Sequence, residues 1–138
     1  MSGSYAAETG APTVTTPAPL PRHVPKPWGH EVIFAVTDRY VGKIIVIEQG
    51  RRLSLQYHER KDEWVHMLSG RMRLLLEDAA GTDRSRVLGP GDGSHVAAGR
   101  RHRYEALERC ELVEVSTPEL DDVIRLADDF GREGTSLP

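Results

Sequence analysis

From Glu31 to Val115 the chain runs in short stretches of alternating apolar and polar residues, broken by glycine, proline and charged clusters. Side chains two apart on a strand share a face, so stretches of this kind predict half-buried strands. Glu31–Val36 and Lys43–Glu48 are the first two, the second rich in β-branched residues. A hairpin follows around the Glu59–Asp62 turn. Met72–Leu76, Val87–Leu88, Ser94–Val96, Arg103–Leu107 and Cys110–Val115 complete a set of about eight strands, the spacing of a sandwich or closed antiparallel barrel. Glu77–Arg86 is polar and predicts a loop, and Gly89–Gly93 a tight exposed turn. Near the C-terminus the pattern changes. Thr117 as cap, Pro118 just inside, a stripe of Leu120, Ile124 and Ala127, and Gly131 as stop predict a short helix.

The hairpin concentrates the polar residues that carry chemistry. On its first strand Gln56 and His58 share a face. On its second, Glu63, Val65 and Met67 share one, and Trp64, His66 and Leu68 the other. A four-residue turn would set His58 opposite Glu63 and Gln56 opposite Val65, with partner Cβ atoms roughly 4.5–5.5 Å apart. That spacing suits a metal ion bound by an imidazole nitrogen and a carboxylate oxygen at about 2.0–2.2 Å, with the Gln56 amide oxygen joining. His102, opening a later strand, is the fourth candidate ligand. Buried without an ion or a dense hydrogen-bond network, such groups would cost ~1–3 kcal/mol each. The set suits zinc, iron(II), manganese or nickel better than copper(I). His66 points away from Glu63 and reads as a packed or surface residue.

Composition narrows the class. The 138 residues, 38% hydrophobic and 28% charged, fit one modest domain. A net charge of −3 offers no basic footprint for nucleic acid. The lone Cys110 cannot form an internal disulfide and reads as core, which fits a reducing compartment. No apolar run is long enough for a transmembrane helix, and the N-terminus lacks the pattern of a signal peptide, so a cytoplasmic protein without membrane association is expected. Six of the nine prolines precede Trp28. Residues 1–24 therefore read as a disordered Pro/Ala/Thr-rich tail, part of Pro21–Pro27 as an extended arm, residues 25–116 as the barrel and 117–138 as a helical or irregular segment.

The spacing glycine, five residues, His, one, His, four, Glu, six, glycine is the first cupin motif. Gly50–Gly70 resembles it, with Gln56 at the first histidine position. Gly91 through Gly99 to His102 resembles the second motif, with Ala97 in place of its proline and Ala106 in place of its asparagine. The runs KPWG (Lys26–Gly29), LSLQYHERKDEW (Leu53–Trp64) and DDVIRLADDFGR (Asp121–Arg132) resemble the cupin half of type II phosphomannose isomerases. The resemblance covers roughly Pro25 to Arg132. It implies an all-β double-stranded β-helix, or jelly-roll barrel, with a short C-terminal segment that is irregular in the family. It also implies zinc at Gln56, His58, Glu63 and His102, and interconversion of mannose 6-phosphate and fructose 6-phosphate.

Aldose–ketose isomerisation moves a proton between neighbouring carbons through an enediol, which needs a base of tuned pKa. Lys43, His95, Glu114 and Tyr104 are the candidates, and Lys43 also matches a lysine of the family. Arg60, Arg103 and Arg125 match family arginines and are candidate substrate contacts. Asp122 with Arg125 would close the barrel mouth. No nucleotidyltransferase half is expected, so guanylyltransferase activity is not. Two rival readings remain open: a non-haem iron dioxygenase using His58, Glu63 and His102, and a metal- or sugar-binding cupin without catalysis. A homodimer is expected in each case.

Overall fold

The computed structural model describes residues 19–134. The tail expected over residues 1–24 lies largely outside them. Eleven strands occur: β1 (Arg22–Lys26), β2 (Gly29–Val36), β3 (Val41–Ile47), β4 (Leu55–Tyr57), β5 (Glu63–Ser69), β6 (Met72–Glu77), β7 (Asp83–Leu88), β8 (Gly93–Val96), β9 (His102–Ala106), β10 (Cys110–Ser116) and β11 (Ile124–Ala127). They form a six-stranded sheet, β1-β2-β3-β10-β5-β8, and a five-stranded sheet, β11-β4-β9-β6-β7. Every pairing is antiparallel. The two sheets pack face to face, the sandwich or barrel that the alternation implied and the jelly roll that the cupin resemblance implied.

The interior faces are graded from one end of the barrel to the other. On β5 the inward residues run Glu63, Val65, Met67; on β9, His102, Tyr104, Ala106; on β3, Lys43, Ile45, Ile47. On β10, antiparallel to β3 and β5, the order reverses to Cys110, Leu112, Glu114. Register sets Glu114 between Lys43 and Val65, and Leu112 between Ile45 and Met67. One end is thus an apolar plug of Ile47, Met67, Met72, Leu74, Leu88 and Leu112, each no more than 1% exposed. Burying side chains of this size contributes about 1.5–3 kcal/mol apiece. The other end collects the buried polar groups, and the free thiol of Cys110 lies at the apolar end. At the Ser69–Gly70 turn, Gly70 takes φ +80°, and an added Cβ would lie 2.2 Å from the Arg109 carbonyl oxygen. The closing glycine of the first motif is therefore required by a left-handed turn against a neighbouring backbone.

Four expectations are corrected. The segment after Ser116 is not helical: the Thr117 hydroxyl accepts from the Asp62 amide and donates to Glu119, and Ile124–Ala127 pairs with β4 as an edge strand. A β-ladder onto β4 satisfies backbone groups that a lone short helix would leave open. The polar Glu77–Arg86 stretch is mostly hairpin, because β7 is an outer edge strand exposed on both faces from Asp83 to Val87 and so carries no apolar alternation. The tail expected to run to residue 24 stops short of Arg22: Arg22–Val24 open the edge strand β1, which is the extended arm expected within Pro21–Pro27, paired with β2. Finally, β4 and β5 do not form a hairpin. They belong to opposite sheets, and the Glu59–Asp62 turn crosses between them; Gln56 lies opposite His102, not Val65.

Candidate metal centre and cavity

The crossing turn brings His58 and Glu63 together by a different route from a hairpin. His58 follows the end of β4 in one sheet, Glu63 opens β5 in the other, and His102 opens β9 beside β4. His58 Nε2 is 3.5 Å from Glu63 Oε1, and His102 Nε2 is 3.4 Å from Glu63 Oε2. The imidazole rings are tilted, with centroids 5.0 Å apart. One ligand atom from each of the three residues lies within 4.8 Å of the others, and all three residues are buried.

Backbone carbonyls aim both imidazoles. His58 Nδ1 meets the Asp122 carbonyl oxygen at 2.5 Å, and His102 Nδ1 meets that of Arg100 at 3.0 Å. A carbonyl only accepts, so each Nδ1 carries the proton and each Nε2 presents a lone pair inward. Second-sphere acceptors of this kind set ring orientation at metal sites. His58 Nε2, His102 Nε2 and Glu63 Oε1 have no hydrogen-bond partner although buried. Three orphaned atoms converging on one point, each costing ~1–3 kcal/mol unsatisfied, fit a divalent cation. Burial pushes the His102 imidazole down to about 4, which keeps Nε2 available as a ligand at neutral pH. Burial opposes ionisation of Glu63, but Lys61, His58 and His102 together hold its carboxyl well below the usual range.

Around the triad runs a chain of buried ion pairs. Lys61 Nζ is 3.0 Å from Glu63 Oε1 and 3.0 Å from Glu114 Oε2. Both contacts are ion pairs, and that to Glu114 is also a hydrogen bond. Burial works against the Lys61 ammonium, yet Glu114 and Glu63 raise its pKa above the ordinary value. Lys43 Nζ continues the chain, 3.6 Å from Glu114 Oε2 and 3.2 Å from Glu31 Oε1. The Tyr104 hydroxyl donates to Glu63 Oε2 at 2.9 Å, and burial with the neighbouring carboxylates raises its pKa well above normal.

Beside the triad opens a cavity of ≈ 190 Å³ walled by Gln56, His58, Lys61, Lys43, Glu31 and Trp28, with cations from β1 and β11. Of the four candidate bases, Lys43 lines this cavity. Glu114 and Tyr104 are buried behind it. His95 is on the outer face, stacked on Trp64 and 2.6 Å from Asp62 Oδ1. Gln56 reaches the cavity, with its amide oxygen accepting from Ser54 Oγ at 2.5 Å. Among the candidate substrate contacts, Arg125 is buried and lines the cavity. Arg60 lies exposed on the crossing turn. Arg103 points away from the interior and ties Leu53 and Ala127 carbonyls together at 2.8 and 3.3 Å. Alternation explains this, since His102 and Tyr104 on either side of it face inward.

Asp122 sits in the loop before β11 whose Leu120, Asp121 and Val123 line the cavity. Its carboxylate accepts from the amides of Glu59, Arg60 and Lys61 at 3.0, 2.7 and 2.9 Å, and these bonds lower its pKa against the effect of burial. One residue thus holds the crossing turn through its side chain and orients His58 through its carbonyl. Asp122→Ala is expected to weaken metal binding by about 10–100-fold, the range for loss of outer-sphere support, as read by competition with a chelating dye. Unchanged affinity would show that the turn keeps its shape without the carboxylate. Lys61 and Glu31 were not anticipated as site residues. Lys61 lies inside the motif spacing, and Glu31 alternates with Ile33; both patterns were present, but turn and strand-end charges usually face water.

The Cupin domain family matches residues 43–116, more than half of the chain. The mannose-1-phosphate guanylyltransferase of Escherichia coli (strain K12) is 31% identical over 117 residues, 80% of this chain and 23% of that protein. The xanthan biosynthesis protein XanB of Xanthomonas campestris pv. campestris (strain B100) is 28% identical over 117 residues, 80% of this chain and 24% of its own length. The chain thus spans about a quarter of the length of these curated relatives. Oxalate decarboxylase from Bacillus subtilis superposes with a TM-score of 0.69 at 20% identity, over 76% of this chain and 30% of that one. KdgF from Halomonas sp. gives 0.61 at 23% identity, over 67% of this chain and 82% of that one. At these identities the structural likeness speaks for the fold. With the motif spacing, the two-sheet barrel and the family match in agreement, this chain is a member of the cupin domain family.

Proposed function

We propose that the protein is a metal-dependent aldose–ketose isomerase acting on a hexose phosphate, of the mannose 6-phosphate to fructose 6-phosphate type. The observation that carries this reading is the joining of the His58–Glu63–His102 triad to a polar, cation-rich cavity in one interior. The mannose-phosphate name of the E. coli relative, aligned along most of this chain, supports it. A divalent ion held by His58, Glu63 and His102, with Gln56 beside them, would supply a Lewis acid for two adjacent sugar oxygens; zinc is our choice, with iron, manganese or nickel as alternatives.

The residues of the chain then divide the remaining work. Lys61 and Tyr104 hold Glu63 ionised and oriented. Glu31 is the carboxylate of the cavity wall nearest a charged partner, Lys43, and we assign to it the proton transfer between the two sugar carbons. Its carboxylate takes the proton from C2 as the enediol forms and returns it to C1, the hydroxyl proton of O2 passes to O1, and Lys43 steadies the charge. Glu114 anchors Lys43 and Lys61 from behind. Trp28, 2% exposed, forms an apolar part of the wall that limits water.

The test is direct. Full-length protein loaded with zinc, manganese, iron(II) or nickel should convert mannose 6-phosphate to the ketose, followed by proton NMR. No conversion with any of these metals would overturn the reading. Two-His-one-carboxylate sets also serve iron oxygenases, so iron-dependent oxygen uptake with a small substrate would favour that rival, and tight sugar binding without turnover would favour a non-catalytic binding protein. We place the protein in the cytoplasm as a homodimer. Among the described residues no helix is long and apolar enough to cross a membrane.

A further inference from the structure

The cavity wall carries six cations, Arg22, Lys26, Lys43, Lys61, Arg125 and Arg132, against two carboxylates, Glu31 and Asp121. Lys43, Lys61 and Arg132 are held by carboxylates at close range. Lys43 and Lys61 belong to the buried ion-pair chain, and Arg132 makes a forked contact with Asp128, at 2.8 Å through Nε and 3.3 Å through Nη2. Arg22 and Lys26 form no ion pair among the described residues. They share the inward face of β1, the edge strand of the six-stranded sheet. Arg125 comes from β11, the edge strand of the five-stranded sheet. The two sheet edges therefore line one cavity and each sends cations into it.

The charges crowd one another. Burial lowers the Lys26 ammonium pKa; Glu31 opposes this, while Lys43, Arg125 and Arg132 lower it further. Burial and Arg132 also lower that of Arg125, while Asp128 and Glu31 oppose the shift. Like charges held together in a partly desolvated wall are destabilising unless an anion joins them. We propose that Lys26 and Arg125, with Arg132 behind them and Arg22 farther along β1, form a subsite for a phosphate monoester dianion. A guanidinium matches phosphate oxygens with paired N–H donors and an ammonium adds a compact charge, so a tetrahedral dianion fits these groups better than a single carboxylate. The subsite rests on the sugar-phosphate reading of the same cavity and deepens it: β1 and β11, not the strands bearing the triad, select a phosphorylated sugar over a free one.

The test separates the two claims. Inorganic phosphate is titrated calorimetrically into the full chain at low salt, metal-loaded and metal-free, with acetate as the comparison anion. Phosphate is expected to bind in both forms and acetate not to bind. Lys26→Gln should weaken phosphate by about tenfold or more, as expected for a lost charge-assisted contact, and Lys26→Gln with Arg125→Gln should abolish binding. Arg71→Ala, altering an exposed cation elsewhere, should change nothing. Lys26 is on a half-exposed edge strand, so its single variant keeps the test decisive even if the double variant misfolds. Absence of phosphate binding, acetate binding as tight as phosphate, or an unaltered Lys26→Gln protein would overturn the subsite. Phosphate binding without isomerisation would overturn only the proposed activity, and isomerisation of unphosphorylated mannose without phosphate binding only the subsite.

Discussion

His102→Ala protein is expected to purify without bound metal and to show no detectable isomerisation, whereas wild type stripped with chelator and resupplied with metal regains both. Removing one of three converging ligands leaves two donors, and Glu63 then keeps the Tyr104 hydroxyl and Lys61 as its partners. The stability readout is independent of activity. An ion present at a hundred times its dissociation constant adds about 2.7 kcal/mol to the folded state, which for a domain of this size raises Tm by about 10 °C. Wild type should show that rise on metal addition, and His102→Ala and Glu63→Gln should show none. Equal rises in wild type and in both variants would mean that the metal binds elsewhere, and the chemistry proposed for the triad would fall with it.

Glu31→Gln is expected to lower kcat by roughly 10²–10⁴-fold, the usual contribution of a positioned general base, with KM for the sugar phosphate and metal content near wild type. The substitution keeps size and most packing but removes the proton acceptor and one partner of Lys43, which retains Glu114 at 3.6 Å. Loss of stability alone would not produce the second signature, which is loss of solvent deuterium exchange at C2 of the bound sugar. If exchange at C2 persists in Glu31→Gln while Lys43→Gln abolishes it, the base is Lys43, the cavity-lining residue that the strand pattern had already singled out. If neither variant changes exchange, the transfer lies outside this pair.

The convergence of His58, Glu63 and His102 was legible because it depends on alternation and spacing. His58 and Glu63 carry the first motif, His102 the second, and the period of two set Glu63 with Val65 and Met67 whatever β5 paired with. Burial bears this out, with Glu63, Val65 and Met67 all inside and Trp64, His66 and Leu68 outside. The pairing itself was not legible. A turn of four residues between two strand-like runs reads as a hairpin, and nothing local states that Asp122, over sixty positions away, holds the turn across two sheets. The same limit explains Arg103, whose neighbours face inward, and His95, whose partner strand β5 sends Trp64 outward. The Asp83–Arg86 part of β7 and all of β11 were missed because edge strands need little apolar alternation.

By itself, the order of residues determined the all-β class, the inward faces of the central strands, the glycine-closed turns and three residues of a candidate metal centre, because these follow from a two-residue period and from motif spacing. Only the tertiary structure decided what those faces meet: that β4 pairs with β9, that Lys61 and Glu31 turn inward to join Glu114 and Lys43, and that cations from β1 and β11 line one cavity beside the triad. The physical reason is that long-range pairing is chosen by the burial of the whole core and the satisfaction of every backbone group at once. A charged side chain is admitted to that interior only where an opposite charge from a distant segment arrives to meet it.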